Sequence, residues 1–187
     1  VCGDIIYIHN YKFFANNRSS SSSIGFSQGD ILAKEYFKNA DYEKALVEYQ
    51  RLYAKAPSNI TYINQIITTH QQLEQYDEAE KFLVKLIKRV RYPAFYVELG
   101  YNFQLKSDLE NAQVNYQKAL SSIDDKVTNV FTVARGFQNH SLLEEASIAY
   151  ERAMVIQPDL NFYVQLAQIY GEQGNIDKMF TSYINYT

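Results

Sequence analysis

The sequence lacks the features that build disulfide frameworks or membrane spans. Its 187 residues include one cysteine, Cys2, which excludes an intrachain disulfide and a cysteine-based metal site. No apolar run approaches the ~20 residues that a spanning helix needs. With 18 Lys and Arg against 21 Asp and Glu, the formal charge is −3. Nucleic-acid phosphates call for clustered cations, so we expect no nucleic-acid partner. Because no apolar run is long enough, we also expect no membrane span.

The motifs of enzyme chemistry are missing as well. There is no Gly-rich phosphate loop, no nucleophile motif and no H-E-x-x-H sequence. The histidines are His9, His70 and His140, and none has the spacing of a metal site. We therefore predict a protein that is not an enzyme, with no catalytic residues, no cofactor-binding residues and no metal site.

A repeat of nearly fixed length is the strongest feature present. Small or flexible residues recur at intervals of 34, 33, 34 and 33 residues, namely Ala45, Ala79, Ala112, Ala146 and Met179. An acid precedes each by two residues: Glu43, Asp77, Glu110, Glu144 and Asp177. A large apolar residue follows each by four: Tyr49, Leu83, Tyr116, Tyr150 and Tyr183. Such a period is typical of stacked repeats rather than of a globule with one active site.

The repeats do not extend over the whole chain. Residues 1–26 form a non-repeat arm, with apolar residues between Ile5 and Phe14 and a linker of five serines at 19–23. Residues 27–187 form five repeats, approximately 27–59, 60–92, 93–126, 127–159 and 160–187. In each, the apolar periodicity predicts two helices joined by a short polar link.

The acids and two serines predict where the second helices begin. A carboxylate in the first turn complements the positive end of the helix dipole. Ser107 with Glu110, and Ser141 with Glu144, fit the S-x-x-E capping box. We therefore interpret the periodic acids as helix-initiating residues and not as catalytic ones.

The predicted first helices contain a second set of columns. Four repeats have an apolar residue followed by a small one: Leu32-Ala33, Leu99-Gly100, Val133-Ala134 and Leu166-Ala167. The second repeat has Ile66-Ile67 instead, which should push its helices slightly apart. Three residues after the small residue comes an aromatic, Tyr36, Phe103, Phe137 or Tyr170, replaced in the second repeat by His70. We expect His70 to be a buried, hydrogen-bonded core residue.

These columns resemble those of the tetratricopeptide repeat (TPR) family. The resemblance implies an all-α fold, a right-handed α-solenoid of antiparallel helix pairs, acting as a protein–protein interaction scaffold. It also implies that the first helices line a concave groove that binds a peptide or a partner subunit. The candidate groove residues are Lys34, Phe37, Lys38, Asn64, Thr68, Gln71, Gln72, Val97, Tyr101, Gln104, Phe131, Arg135, Gln138 and Gln168. Amides suit a peptide backbone, and aromatics supply apolar anchors.

The last helix leaves a second interpretation open. It is rich in apolar residues and no polar capping helix follows it, although a solenoid needs one. The alternative function is therefore a regulatory or anchoring module of a larger multidomain protein, with self-association through the arm or this helix as a homo-oligomer. Residues 25–28 resemble the end of a bacterial export signal, which leaves cell envelope and cytoplasm both open. The cations Lys85, Lys88, Arg89 and Arg91 either complement a helix dipole or bind an acidic partner.

Overall fold

The computed structural model describes residues 28–123 and 127–186. These residues form ten helices and no strand: α1 Gln28–Lys38, α2 Tyr42–Lys55, α3 Ile60–Gln72, α4 Tyr76–Arg89, α5 Ala94–Leu105, α6 Leu109–Ser121, α7 Val127–Asn139, α8 Leu143–Ile156, α9 Tyr163–Glu172 and α10 Ile176–Tyr186. Consecutive helices pack as five tandem pairs, which confirms the predicted all-α, TPR-like fold. The N-terminal arm, its serine run and the turn residues 124–126 lie outside the described residues.

The two helices of every pair are joined by the same three-residue link. Its central residue has a positive φ in all five repeats: Ala40 (60°), Glu74 (56°), Ser107 (62°), Ser141 (58°) and Gly174 (73°). The N–H of the third link residue then donates to a carbonyl five residues earlier, at 2.8–2.9 Å. This is the hydrogen bond of a Schellman motif, which ends a helix by a left-handed residue. The change of chain direction between the two helices is therefore set by the backbone conformation of the link. Its central position accepts alanine, glutamate and serine as well as glycine.

The two predicted capping boxes are wrong, because the serines occupy this left-handed position. Ser107 and Ser141 each precede the N-cap residue by one position. The N-cap of α6 is Asp108, whose carboxylate accepts a hydrogen bond from the Asn111 N–H at 3.1 Å. The N-cap of α8 is Leu142, which offers no capping side chain. The periodic acids do lie in the first turn of each second helix, as predicted.

Small residues let the helices of a pair approach closely. The alanine column is buried from Ala45 to Ala146. A Cβ placed on Gly100 of α5 would overlap the ring of Tyr116 of α6 and meet the carbonyl oxygen of Ala112 at 3.0 Å. The absent side chain is therefore a requirement of this contact, since helices that touch need small residues where their ridges cross.

The second repeat departs from this pattern as predicted. Ile67 is fully buried between α3 and α4, and the backbones of these helices approach closely along less of their length than those of the other pairs. His70 is buried, with Nδ1 2.8 Å from Oε1 of Gln75. The expectation of a hydrogen-bonded core histidine is confirmed.

An ion-pair cluster joins the second and third repeats. Lys106, in the link after α5, donates from Nζ to Asp77 at 2.8 Å and to Glu80 at 3.0 Å, both on α4. Hydrogen bonds from Lys106 lower the pKa of Asp77, and those to Asp77 and Glu80 raise the pKa of Lys106. One periodic acid thus has a second role, as a contact between repeats.

The fifth repeat is the least buried. Tyr183 of α10 is 44% exposed, whereas its equivalents in the first four repeats are at most 3% exposed. The large apolar residues that α10 exposes are Ile176, Phe180, Tyr183, Ile184 and Tyr186. Among the described residues, no helix has the length and apolar character needed to cross a membrane.

Candidate interaction surface

Most of the candidate groove residues lie on the surface of the first helices. We call the twelve exposed or partly exposed members the groove surface: Lys34, Phe37, Lys38, Asn64, Thr68, Gln72, Tyr101, Gln104, Phe131, Arg135, Gln138 and Gln168. They come from α1, α3, α5, α7 and α9, and they present amide, aromatic and cationic groups. A partner that contacts several repeats at once would meet all three kinds of group.

Two candidate residues are not on this surface, and their assignment is wrong. Val97 is fully buried, because α7 brings Gly136 against it: a Cβ on Gly136 would lie 3.3 Å from Cγ1 of Val97. Gln71 is also buried, and among the described residues its Nε2 has no hydrogen-bond partner. Both follow the sequence spacing of a surface residue, but the structure buries them.

The centre of the groove surface contains an aromatic stack that joins two repeats. The ring of Tyr101 on α5 stacks on that of His140, after α7, with centroids 3.7 Å apart and planes 16° from parallel. His140 Nε2 lies 3.0 Å from Oε2 of Glu98, also on α5. Burial, followed by the nearby Glu98 charge, raises the pKa of Tyr101, so this phenol stays neutral at physiological pH. The stack fixes where Tyr101 presents its ring.

Sequence reasoning did not predict that His140 and Glu98 pair beside this surface. His140 lies in the link after α7, and its partner lies 42 residues away. No periodic signal marks such a pair, since each repeat position recurs every 33 or 34 residues.

One turn further along α5, Gln104 is also held in place. The Tyr116 hydroxyl donates to Oε1 of Gln104 at 2.8 Å. Burial raises the pKa of Tyr116, so its hydroxyl remains a donor. The side chain of Gln104 is therefore oriented by the second helix of its own repeat.

The α7 part of the groove surface combines an apolar anchor with a cation. Phe131 packs edge-to-face on buried Phe162, with centroids 5.2 Å apart, yet remains 40% exposed. Arg135 lies one turn later and is exposed. It is close enough to Tyr150 to oppose the rise in pKa that burial causes there. An aromatic face beside a guanidinium is a composition typical of protein-binding hot spots.

The basic run on α4 has a structural contact. Lys88 and Arg89 lie in the last turn of α4, where cations complement the helix dipole. Arg89 Nη2 also donates to the Tyr53 hydroxyl at 2.9 Å, from one repeat to the previous one. In the described ranges no three His, Cys, Asp or Glu residues group as metal ligands would.

The helix pairs, their period and their small-residue contacts define a solenoid of TPR-like repeats. No family model matches the chain, and no curated protein matches it. Solved structures that match include MamA, at 18% identity and a TM-score of 0.43, covering 87% of this chain and 94% of that one. TTC0263, a thermophilic TPR protein in Thermus thermophilus, matches at 17% identity and a TM-score of 0.44 over 83% and 87%. A Podosopora anserina putative kinesin light chain with nearly identical TPR-like repeats matches at 18% and 0.45 over 82% and 90%. Similarity at this level carries no functional argument.

Proposed function

We propose that this protein is a non-catalytic interaction scaffold that binds an extended peptide segment of a partner along its groove surface. The observation that carries the proposal is the composition of neighbouring α5 and α7. There, a stacked Tyr101, an oriented Gln104, an exposed Phe131 and an exposed Arg135 lie on consecutive first helices.

Two physical features favour a peptide. Amide side chains both donate and accept hydrogen bonds, so they match the alternating N–H and C=O groups of an extended backbone. Phe131 can take an apolar side chain of the partner, and Arg135 an acidic one. The preferred peptide therefore carries an aromatic or aliphatic residue and an Asp or Glu close to it.

Three side chains of the groove surface are held in place before binding, which reduces the entropy lost on binding. Tyr101 is fixed by the His140 ring, and Gln104 by the Tyr116 hydroxyl. Phe131 rests on Phe162. A partner would find these side chains already placed, while Arg135 is left to adjust.

The test is selection from a displayed library of random peptides, followed by fluorescence anisotropy with a selected peptide. We expect Arg135→Ala to weaken binding by about tenfold, as is common for an arginine at a hot spot. Arg152→Ala is the matched control, because Arg152 is an exposed arginine on α8, a second helix. Two outcomes would exclude the groove surface as the site. Either the two substitutions weaken binding equally, or the selected peptides bind both variants with the same affinity as the unchanged protein.

A further inference from the structure

An apolar cleft of about 530 Å³ lies where α3 begins, α4 ends and α5 begins. Ile63 and Phe95 line it and are 3% and 2% exposed, whereas Ile60 and Val90 line it and are 37% and 42% exposed. Ligand pockets of proteins commonly measure about 300–1,000 Å³. The cleft therefore has the volume to receive an apolar group of a partner.

The segments around the cleft are fixed by their own contacts. Asn59, the N-cap of α3, accepts a hydrogen bond from the Thr61 N–H at 2.9 Å. The ring of Tyr92 packs edge-to-face on that of Phe95, with centroids 4.9 Å apart. A group that enters the cleft would thus meet walls that are already in place, which lowers the entropic cost of binding.

The charges beside the cleft are positive. Arg89 is the charged residue of its described lining, and Lys88 and Arg91 are exposed next to it. None of the three forms an ion pair with a carboxylate of the described residues, whereas Lys81 on the same helix pairs with Glu78 at 2.8 Å. The chain as a whole has a formal charge of −3. The cleft therefore carries a local positive charge that these residues leave uncompensated.

The helix dipole does not account for these cations. The dipole places about half a negative charge at the end of a helix, which one cation already exceeds. The helix α8 also ends with no cation in its last turn, because Val155 and Ile156 stand at the positions of Lys88 and Arg89. The fold thus forms this type of helix end without them.

We propose that this corner binds an acidic segment of a partner protein, with an aromatic or aliphatic side chain inserted in the cleft and neighbouring carboxylates on the cations. Arg89 has a guanidinium with five N–H donors, and Nη2 is held by the Tyr53 hydroxyl at 2.9 Å. The group is therefore positioned and keeps donors for a carboxylate. We call this site the basic cleft, formed by Ile60, Ile63, Lys88, Arg89, Val90, Arg91 and Phe95.

The distribution of charge favours a peptide over a small anion or a membrane surface. A single carboxylate neutralises one charge, whereas the basic cleft carries three, at Lys88, Arg89 and Arg91. The deepest side chains, Ile63 and Phe95, are almost fully buried, so a side chain that projects from a chain reaches them better than a flat surface does. The proposal does not depend on peptide binding by the groove surface, because the two sites share no residue.

The test is fluorescence anisotropy of the 187-residue chain with a labelled peptide in which one phenylalanine is flanked by glutamates. We expect Lys88→Glu to weaken binding about fivefold, because it replaces an attraction by a repulsion. Lys118→Glu is the matched control, since Lys118 is an exposed cation in the last turn of α6. Replacing the phenylalanine of the peptide by alanine should weaken binding by about tenfold or more, because the cleft is then left unfilled.

Methyl NMR of the same complex locates the peptide. We expect shifts at Ile60 and Val90 and none at Val155, an 81% exposed apolar residue on α8. Shifts at Thr68 instead would place the peptide on the groove surface and overturn the proposal. Shifts at Ile60 and Val90 that vesicles containing phosphatidylserine produce and the peptide does not would assign the cleft to a lipid surface, which also overturns it.

The binding data can overturn the proposal in two further ways. Equal losses in Lys88→Glu and Lys118→Glu would show an attraction by net charge only, and an absence of binding up to millimolar peptide would show that there is no site. Circular dichroism must match that of the unchanged chain. If Lys88→Glu fails this, Arg91→Glu makes the same charge reversal beyond the end of α4, and unaltered binding by that variant overturns the proposal equally.

Discussion

The second and third repeats have the same period and the same link geometry, but their helices are packed with different pairs of residues. In the third repeat, Gly100 faces the large ring of Tyr116. In the second, the same two columns hold Ile67 and Leu83, both buried in one cluster. Both combinations close the contact, but the two middle-sized residues keep the helices of the second repeat close along less of their length. The two columns are therefore coupled, because the size of one residue decides how much room is left for the other.

The largest loss of stability is expected from a cavity between the two helices of the second repeat. Ile67→Ala should lower the free energy of unfolding by about 2–5 kcal/mol, because it leaves a cavity at a fully buried position. Adding Leu83→Tyr should recover part of this loss by giving the second repeat the small–large pair of its neighbours. Urea denaturation of the single and double variants measures the coupling. Strictly additive losses would contradict the idea that the two columns share one volume.

The reverse change in the third repeat should cost less. Gly100→Ala places a methyl group against the Tyr116 ring and the Ala112 carbonyl, and overpacking of this kind costs about 1–3 kcal/mol. Tyr116→Leu in the same chain should relieve the overlap, so the double variant is expected to lose less than the sum of the two. The same denaturation series tests this. An unaltered or increased stability of Gly100→Ala alone would show that the contact is looser than described.

Substitution of the central link residue by glycine should change the stability of the protein by the same amount in the second and third repeats. Glu74 and Ser107 have φ values of 56° and 62°, a conformation that L-residues adopt at a cost and glycine does not. Glycine removes this cost but loses more conformational entropy on folding, which offsets part of the gain. Glu74→Gly and Ser107→Gly should therefore each stabilise the protein by up to about 1 kcal/mol. Gly174→Ala, at 73°, should destabilise it. Thermal unfolding compares the three, and destabilisation by Ser107→Gly would restore a capping role to this serine.

The smallest effect concerns the ion pairs that join the two repeats. Lys106→Met should slightly lower the unfolding midpoint at neutral pH and low salt, and the difference should vanish at high salt. Asp77 has a lowered pKa, so its contribution is present above its unfolded value of about 3.9 and is lost on acidification. Lys106 has a raised pKa, so its contribution is present below about 10.4 and is lost as pH rises further. Lys106 Nζ also lies over the Phe103 ring, 5.6 Å from its centroid. A difference that persists at pH ~2, where these carboxylates are protonated, would assign the effect to this contact instead.

The columns of this protein could be predicted from its sequence because they are local and repeated. Ala45 and Ala112 follow the helical period and recur at a constant interval, so their burial required no knowledge of distant residues. His70 was placed correctly for the same reason: its column is aromatic in the other repeats. The capping serines were misplaced because S-x-x-E describes a sequence spacing, while the left-handed link residue decides which position becomes the N-cap.

The groove surface was predicted less well, because burial on it depends on neighbouring repeats. Val97 has the spacing of an exposed residue and is covered only because Gly136 allows α7 to approach. The partnership of His140 with Glu98 and Tyr101 depends on the offset between two helices, which no motif encodes. Such contacts link residues 39 or 42 positions apart in a chain whose repeats are 33 or 34 long.

The sequence by itself therefore determined the number of repeats, the helices and the residues that lie between the helices of a pair, because each is set by periodicity within one repeat. Only the tertiary structure decided which surface residues remain accessible and how the links turn. The physical reason is that backbone reversal and repeat-to-repeat packing depend on the volume available between elements, and that volume is fixed by residues that are distant in the chain.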